Sequence, residues 1–192
     1  MPVLGVIHMS NNKKAYALPG AVTGSEIKIL RHRLKLSQAA FSELAGVSVK
    51  TVERWEYSGE RITGPIVFLV KLLTDNPSLV ETIRIPGRTG NIRLWYMFRE
   101  QVCTLIDIDE KNRQAHIRNY TDRLQYRAFG VKENPNYEEV EEFLESRCFP
   151  PTRDKKKLIL NALDVPFYDP MMIIEKTQGR MAEDDFWIRI ER

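Results

Sequence analysis

The chain has only two cysteines, Cys103 and Cys148. They are too few to staple a fold, and they lack the CxxC spacing of a zinc site. That scarcity fits a reducing compartment, so a cytoplasmic protein is expected. Histidine is as sparse, with His8, His32 and His116 on three separate segments. The patterns GxGxxG, P-loop, HExxH and GxSxG are all missing, which removes the commonest dinucleotide, nucleoside-triphosphate, zinc-protease and serine-hydrolase chemistries. No catalytic residue, no metal and no cofactor is therefore expected, and the protein reads as a non-enzyme. No apolar run approaches the roughly 20 residues that span a bilayer, so no membrane partner is expected. The opening stretch MPVLGVIHMSNNKK carries its lysines after its apolar patch, the reverse of a secretory leader.

What is present is a composition close to the globular average, 43% hydrophobic and 29% charged, in 192 residues. That excludes disorder for most of the chain and leaves room for one ordinary domain or two small ones. The net charge of +3 is unevenly spread. Residues 1–91 hold 12 Lys and Arg against 7 Asp and Glu, whereas residues 92–192 hold 17 against 19. The basic excess belongs to the first half.

Turn residues and hydrophobic period divide the chain into four parts. Residues 1–24, punctuated by Pro19-Gly20 and Gly24, read as a flexible arm. Residues 25–84 read as five short helices. Ser25 is the expected first cap, ahead of Ile27, Leu30 and Leu34; Ser37 starts a second helix that ends at Gly46; Ser48 caps a third that stops before Ser58-Gly59. Pro65 opens a fourth, and Asp75-Asn76-Pro77-Ser78 turns into a fifth that ends near Ile83. Residues 85–91, with Pro86, Gly87 and Gly90, form the linker. Residues 92–192 read as a small α+β domain. Ile92–Phe98, Val102–Ile108 and Gln114–Tyr120 are expected as an antiparallel meander. Tyr137–Cys148 is an acidic amphipathic helix, Thr152 or Asp154 caps a helix running to Leu163, Asp169-Pro170 opens another, and Phe186–Ile190 is a closing strand. The fold class is thus an all-α five-helix helix-turn-helix N-terminal domain joined to a small α+β domain with an antiparallel sheet.

Function concentrates in residues 27–65, IKILRHRLKLSQAAFSELAGVSVKTVERWEYSGERITGP. A helix, Ser-Gln heading the next helix, a Gly-Val turn and then Ser-x-x-Thr-Val-x-x-Trp-Glu is the order in which one helix crosses the phosphate backbone and the next enters the major groove. Ala39, Ser42, Ala45 and Gly46 let the two helices approach, while Phe41, Leu44, Val47, Val52 and Trp55 fill the space between them. Ser48, Val49, Lys50, Thr51 and Arg54 face outward. Lys50 and Arg54, one turn apart, can reach guanine edges, and Val49 can meet a thymine methyl. Gln38 stands at a helix N-terminus, where backbone N–H groups and the dipole favour a phosphate oxygen.

The segment resembles the Xre/Cro-repressor-like helix-turn-helix family. WEYSGERITGP followed by LLTDNPSLVE is most similar to its HigA/MqsA-type antitoxin branch, over residues 18–83. The resemblance implies DNA contact by Gln38 and by the loop after the third helix, which adds Arg61 and Thr63 to Thr51 as phosphate candidates. It also implies a buried or half-buried ion pair between Arg31 and Glu56. Such proteins dimerise on palindromic operators, so a homodimer on double-stranded DNA is expected, and an autoregulating repressor of the toxin–antitoxin type. The alternative is a mobile-element protein whose C-terminal domain inhibits a host defence enzyme while the helix-turn-helix regulates its own operon.

The second half offers less. SRCFPPTRDKKKLILNAL and MAEDDFWIRIE resemble the segment ahead of the kinase core in some HipA-like proteins, through Arg147, Pro150, Thr152, Arg153, Asp185, Phe186 and Trp187. The kinase motifs themselves are missing, so what the resemblance implies is at most an interaction module for a toxin or defence enzyme. Arg147 and Arg153 near Asp184 and Asp185 can form a structural ion-pair network or a ligand pocket. His116 is expected as a half-buried sheet residue, and an enzymatic site would require Asp107 or Asp109 to converge with it and with Arg153.

Overall fold

Three short polar residues decide where the first helices begin. Thr23 accepts a hydrogen bond from the Glu26 backbone N–H at 3.3 Å, and the Glu26 carboxylate accepts one from the Thr23 N–H at 2.6 Å. This capping box starts α1, Gly24–Arg33. The cap is therefore Thr23 rather than Ser25, because only Thr23 has a glutamate three positions on to complete the reciprocal pair. Ser37 accepts from Ala40 N–H and starts α2, Gln38–Ala45; Ser48 accepts from Thr51 N–H and starts α3, Val49–Ser58. Gly46 ends α2 at φ 64° and Gly59 ends α3 at φ 65°, both left-handed. Gly24 serves packing instead, since a Cβ there would lie 1.8 Å from the Trp55 carbonyl oxygen. It lets the start of α1 touch the backbone of α3.

This computed structural model describes residues 15–192 and divides into two compact units, with the boundary between Arg84 and Ile85. In the first unit, β1 (Val22–Thr23) pairs antiparallel with β2 (Arg61–Ile62), and α4 (Pro65–Asp75) and α5 (Leu79–Ile83) complete the order. Residues 1–14 of the expected arm lie outside the described residues; Val22 and Thr23 belong to β1 and Gly24 to α1 rather than to an arm. Ile27, Phe41 and Val52 are fully buried at the centre, with Leu44, Val47 and Trp55 packed around them. Of the small residues expected at the helix crossing, Ser42 is buried but Ala39 and Gly46 are exposed. Gly46 is needed for its dihedral angle, not for close approach.

In the second unit, β3 (Ile92–Phe98), β4 (Gln101–Asp109), β5 (Gln114–Asn119) and β6 (Phe186–Glu191) form one antiparallel sheet in the order β5-β4-β3-β6. The closing strand therefore pairs with β3, Leu94 opposite Ile190 and Tyr96 opposite Ile188. Alternation gives the sheet two faces. Ile92, Leu94, Tyr96, Ile106, Ile108 and Ile188 share a core with Val140 and Leu144 of α6 (Tyr137–Ser146), Leu160 of α7 (Lys156–Ala162) and Ile173 and Ile174 of α8 (Pro170–Thr177). Trp95, Met97 and Leu105 lie on the other face. Asp169 caps α8 by accepting from Met172 N–H at 2.8 Å. Neither Thr152 nor Asp154 caps α7: the cap position is Lys155, at φ 63° and with no side-chain cap, because the chain turns once more before the helix starts. The described residues thus combine eight α-helices with a four-stranded and a two-stranded antiparallel sheet, a mixed α and β architecture. None of these helices is long and apolar enough to cross a membrane.

Candidate nucleic-acid interface

Helix α3 is two-faced. Val52 is fully buried, Trp55 and Glu56 are turned partly inward, and Val49, Lys50, Glu53, Arg54 and Tyr57 are exposed. Positions 49/50, 53/54 and 57 fall four residues apart, so they form one stripe along the helix. Among the described residues, Lys50, Arg54 and Arg61 take part in no ion pair. Sequence reasoning missed Glu53 and Tyr57; the same spacing from Val49 and Lys50 would have found them. Tyr57 is 96% exposed.

The stripe is held by a buried polar junction. Arg31 of α1 donates from Nε and Nη2 to both carboxylate oxygens of Glu56, at 2.7 and 2.9 Å, and from Nη1 to the Leu36 carbonyl oxygen at 3.0 Å. The side chains of Arg31 and Glu56 are 9% and 6% exposed. Gln38 of α2 adds a third arm, its Nε2 donating to Glu56 Oε2 at 2.9 Å. The Arg31 hydrogen bonds hold the Glu56 carboxyl below its ordinary value against the opposing effect of burial, and raise the Arg31 guanidinium in turn. One junction thus ties α1, α2 and α3 together. It also commits one of the two amide protons of Gln38, leaving one for any other acceptor.

The remaining candidates are placed as follows. Ser48 and Thr51 are joined hydroxyl to hydroxyl at 2.9 Å, and Ser48 also caps α3. Arg61 is exposed in β2, opposite Thr23, and Thr63 is exposed in the loop that leads to α4. Val49, Lys50 and Arg54 share the α3 stripe, whereas Arg61 and Thr63 follow Gly59 on a separate segment.

Several polar groups of the second unit serve structure. Arg93 donates to both oxygens of Asp107 at 2.6 and 2.7 Å, and Thr89 donates to the same carboxylate from its N–H at 3.0 Å. Burial raises the Asp107 pKa, but these donors outweigh it and hold the carboxyl low. His116 is exposed rather than half-buried, because its neighbours Ala115 and Ile117 face the helices and it points the other way. It stands opposite Asp107 and lines a shallow cleft with it, which neither Asp109 nor Arg153 reaches. Arg147 donates to both oxygens of Asp184 at 2.6 and 3.0 Å and to the carbonyl oxygens of Gly179 and Phe186, so it pins the approach to β6. Asp185 pairs with Arg99 instead, and Arg153 is exposed. Both cysteines are buried and free, and burial pushes the Cys148 thiol up to about 12, which makes it a poor nucleophile. Among the described residues, no group of three or more His, Cys, Asp and Glu could hold a metal ion.

Comparison with family models, curated proteins and solved structures found no match for the chain.

Proposed function

We propose that the protein is a sequence-specific, non-enzymatic DNA-binding regulator that inserts α3 into the major groove. The observation that carries this reading is the α3 stripe: Lys50 and Arg54 are exposed and unpaired on a helix whose opposite side is locked by Arg31, Glu56 and Gln38. A cation that has no protein partner and stands on a rigid helix keeps its full charge for a phosphate or a guanine edge. Val49 beside them suits a thymine methyl. Gln38, at the start of α2, meets the backbone with its remaining amide proton and the N–H groups of the first turn. Ser48 and Thr51 add hydroxyls at the start of α3, and Arg61 in β2 and Thr63 in the loop after it add further phosphate contacts.

One such helix reads only a few base pairs, so a homodimer on a palindrome, with half-sites about one helical turn apart, gives useful affinity. The resemblance of residues 18–83 to Xre/Cro-like repressors of the antitoxin branch extends the reading to autoregulation of the protein's own promoter, with residues 92–192 serving dimerisation or a protein partner. The direct test is Lys50→Ala combined with Arg54→Ala. Loss of these contacts is expected to weaken binding to the preferred site by about 2–6 kcal/mol and to flatten the preference over random duplex. Unchanged selectivity would show that α3 does not read bases.

A further inference from the structure

Several cations of the second unit are neutralised by a neighbour: Arg93 by Asp107, Arg99 by Asp185, Arg113 by Glu138, Arg147 by Asp184. Arg153, Lys155, Lys156 and Lys157 are the densest run of cations in it, interrupted by one acid, Asp154. These four cations lie within five positions, and among the described residues none takes part in an ion pair. Arg153, Lys155 and Lys157 are exposed, whereas Lys156 is half-buried with its ammonium 5.9 Å from the Tyr168 ring.

The backbone that carries them is ordered. Arg153 N–H donates to the Pro150 carbonyl oxygen at 2.9 Å, Lys156 N–H to that of Arg153 at 3.2 Å, and Leu158 N–H to that of Lys155 at 2.9 Å. Lys155 holds a left-handed φ of 63° that non-glycine residues seldom adopt. The charges also run against the helix they introduce. Cations at the start of a helix face the positive end of its dipole, the reverse of what stabilises it, and no Asp or Glu occupies the first turn of α7. Lys155, Lys156 and Lys157 are thus unfavourably placed for the folded unit by itself, and Asp154 offsets only one charge of the run. They become favourable against a dense row of negative charge.

We propose that this basic turn, residues 153–157, is a second DNA contact that grips the phosphate backbone without reading bases. The inference rests on the DNA-binding reading above, which supplies the polyanion already at hand. It assigns to α3 the sequence preference and to the basic turn a share of the sequence-independent affinity.

The test uses the full chain, a duplex carrying its preferred site and a scrambled duplex of the same length, with affinities measured between about 50 and 200 mM salt. Arg153→Gln, Lys155→Gln and Lys157→Gln together are expected to weaken binding to both duplexes by the same factor. The slope of log affinity against log salt should fall by about 2 to 3, near 0.9 for each lost phosphate contact. The charge-keeping set Arg153→Lys, Lys155→Arg and Lys157→Arg should keep the wild-type slope. If the triple variant melts early, Lys157→Gln alone should lower the slope by about 1. An unchanged slope in a folded variant overturns the inference, including the case in which the turn proves to hold an acidic protein instead. If Lys50→Ala with Arg54→Ala abolishes selectivity while the basic-turn variants bind as wild type, the DNA reading stands and this inference alone falls. A chain that binds neither duplex overturns both.

Discussion

At the scale of single residues, the Arg31–Glu56–Gln38 junction separates the residues that build the interface from those available to use it. Glu56 is fully engaged by Arg31 and Gln38, so removing one partner strands a buried charge rather than freeing a contact. Arg31→Ala is expected to destabilise the first unit by about 3 kcal/mol in chemical unfolding, with selectivity retained in the fraction that remains folded. Gln38→Ala should cost less, because the ion pair persists. The junction also sets an acid response. The Glu56 carboxyl titrates below its unfolded value, so the stability it contributes is present above the ordinary glutamate range and is lost as pH falls through its lowered folded value. Glu56→Gln removes that contribution at neutral pH and should flatten the decline of unfolding free energy below about pH 4.5. The Arg31–Glu56 pair was legible through the family resemblance. The engagement of Gln38 was not, since spacing along α2 says nothing of which acceptor on α3 its amide meets.

At the scale of elements, caps and turns were the legible part. Ser37, Ser48, Gly46 and Asp169-Pro170 act where their side-chain chemistry and conformational freedom put them, because these signals are local. Ser48→Ala should cost about 1 kcal/mol of stability, and Gly46→Ala about as much from backbone strain alone, since nothing lies within 4 Å of the added methyl. Thermal melting of the two variants checks both. The misplaced starts have equally local causes. Ser25 and Thr23 both look like caps, and the choice between them depends on the reciprocal reach of Glu26. The start of α7 was hidden because a lysine at φ 63° carries no turn signature in its residue type. Strand positions were readable from alternation, but the place of β6 beside β3 depends on pairing between distant parts of the chain, which no local pattern encodes.

At the scale of the whole molecule, the basic excess of the first half is a weak guide to function. Within residues 25–83, 8 Lys and Arg face 7 Asp and Glu, so what matters is which cations are left unpaired and where they stand. Lys50, Arg54 and Arg61 meet that criterion in the first unit, and the turn at 153–157 meets it in the second. Pairs such as the buried Arg93–Asp107 and the half-buried Arg147–Asp184 add to the count of charges yet serve the sheet. The central claim is that α3 reads a defined DNA sequence, and selection of bound duplexes from a random pool by the full chain tests it most directly. The account predicts enrichment of an inverted repeat with half-site centres about 10 base pairs apart, and its loss with Lys50→Ala and Arg54→Ala. Recovery of duplexes with no common motif, or of the same motif by that variant, would contradict it.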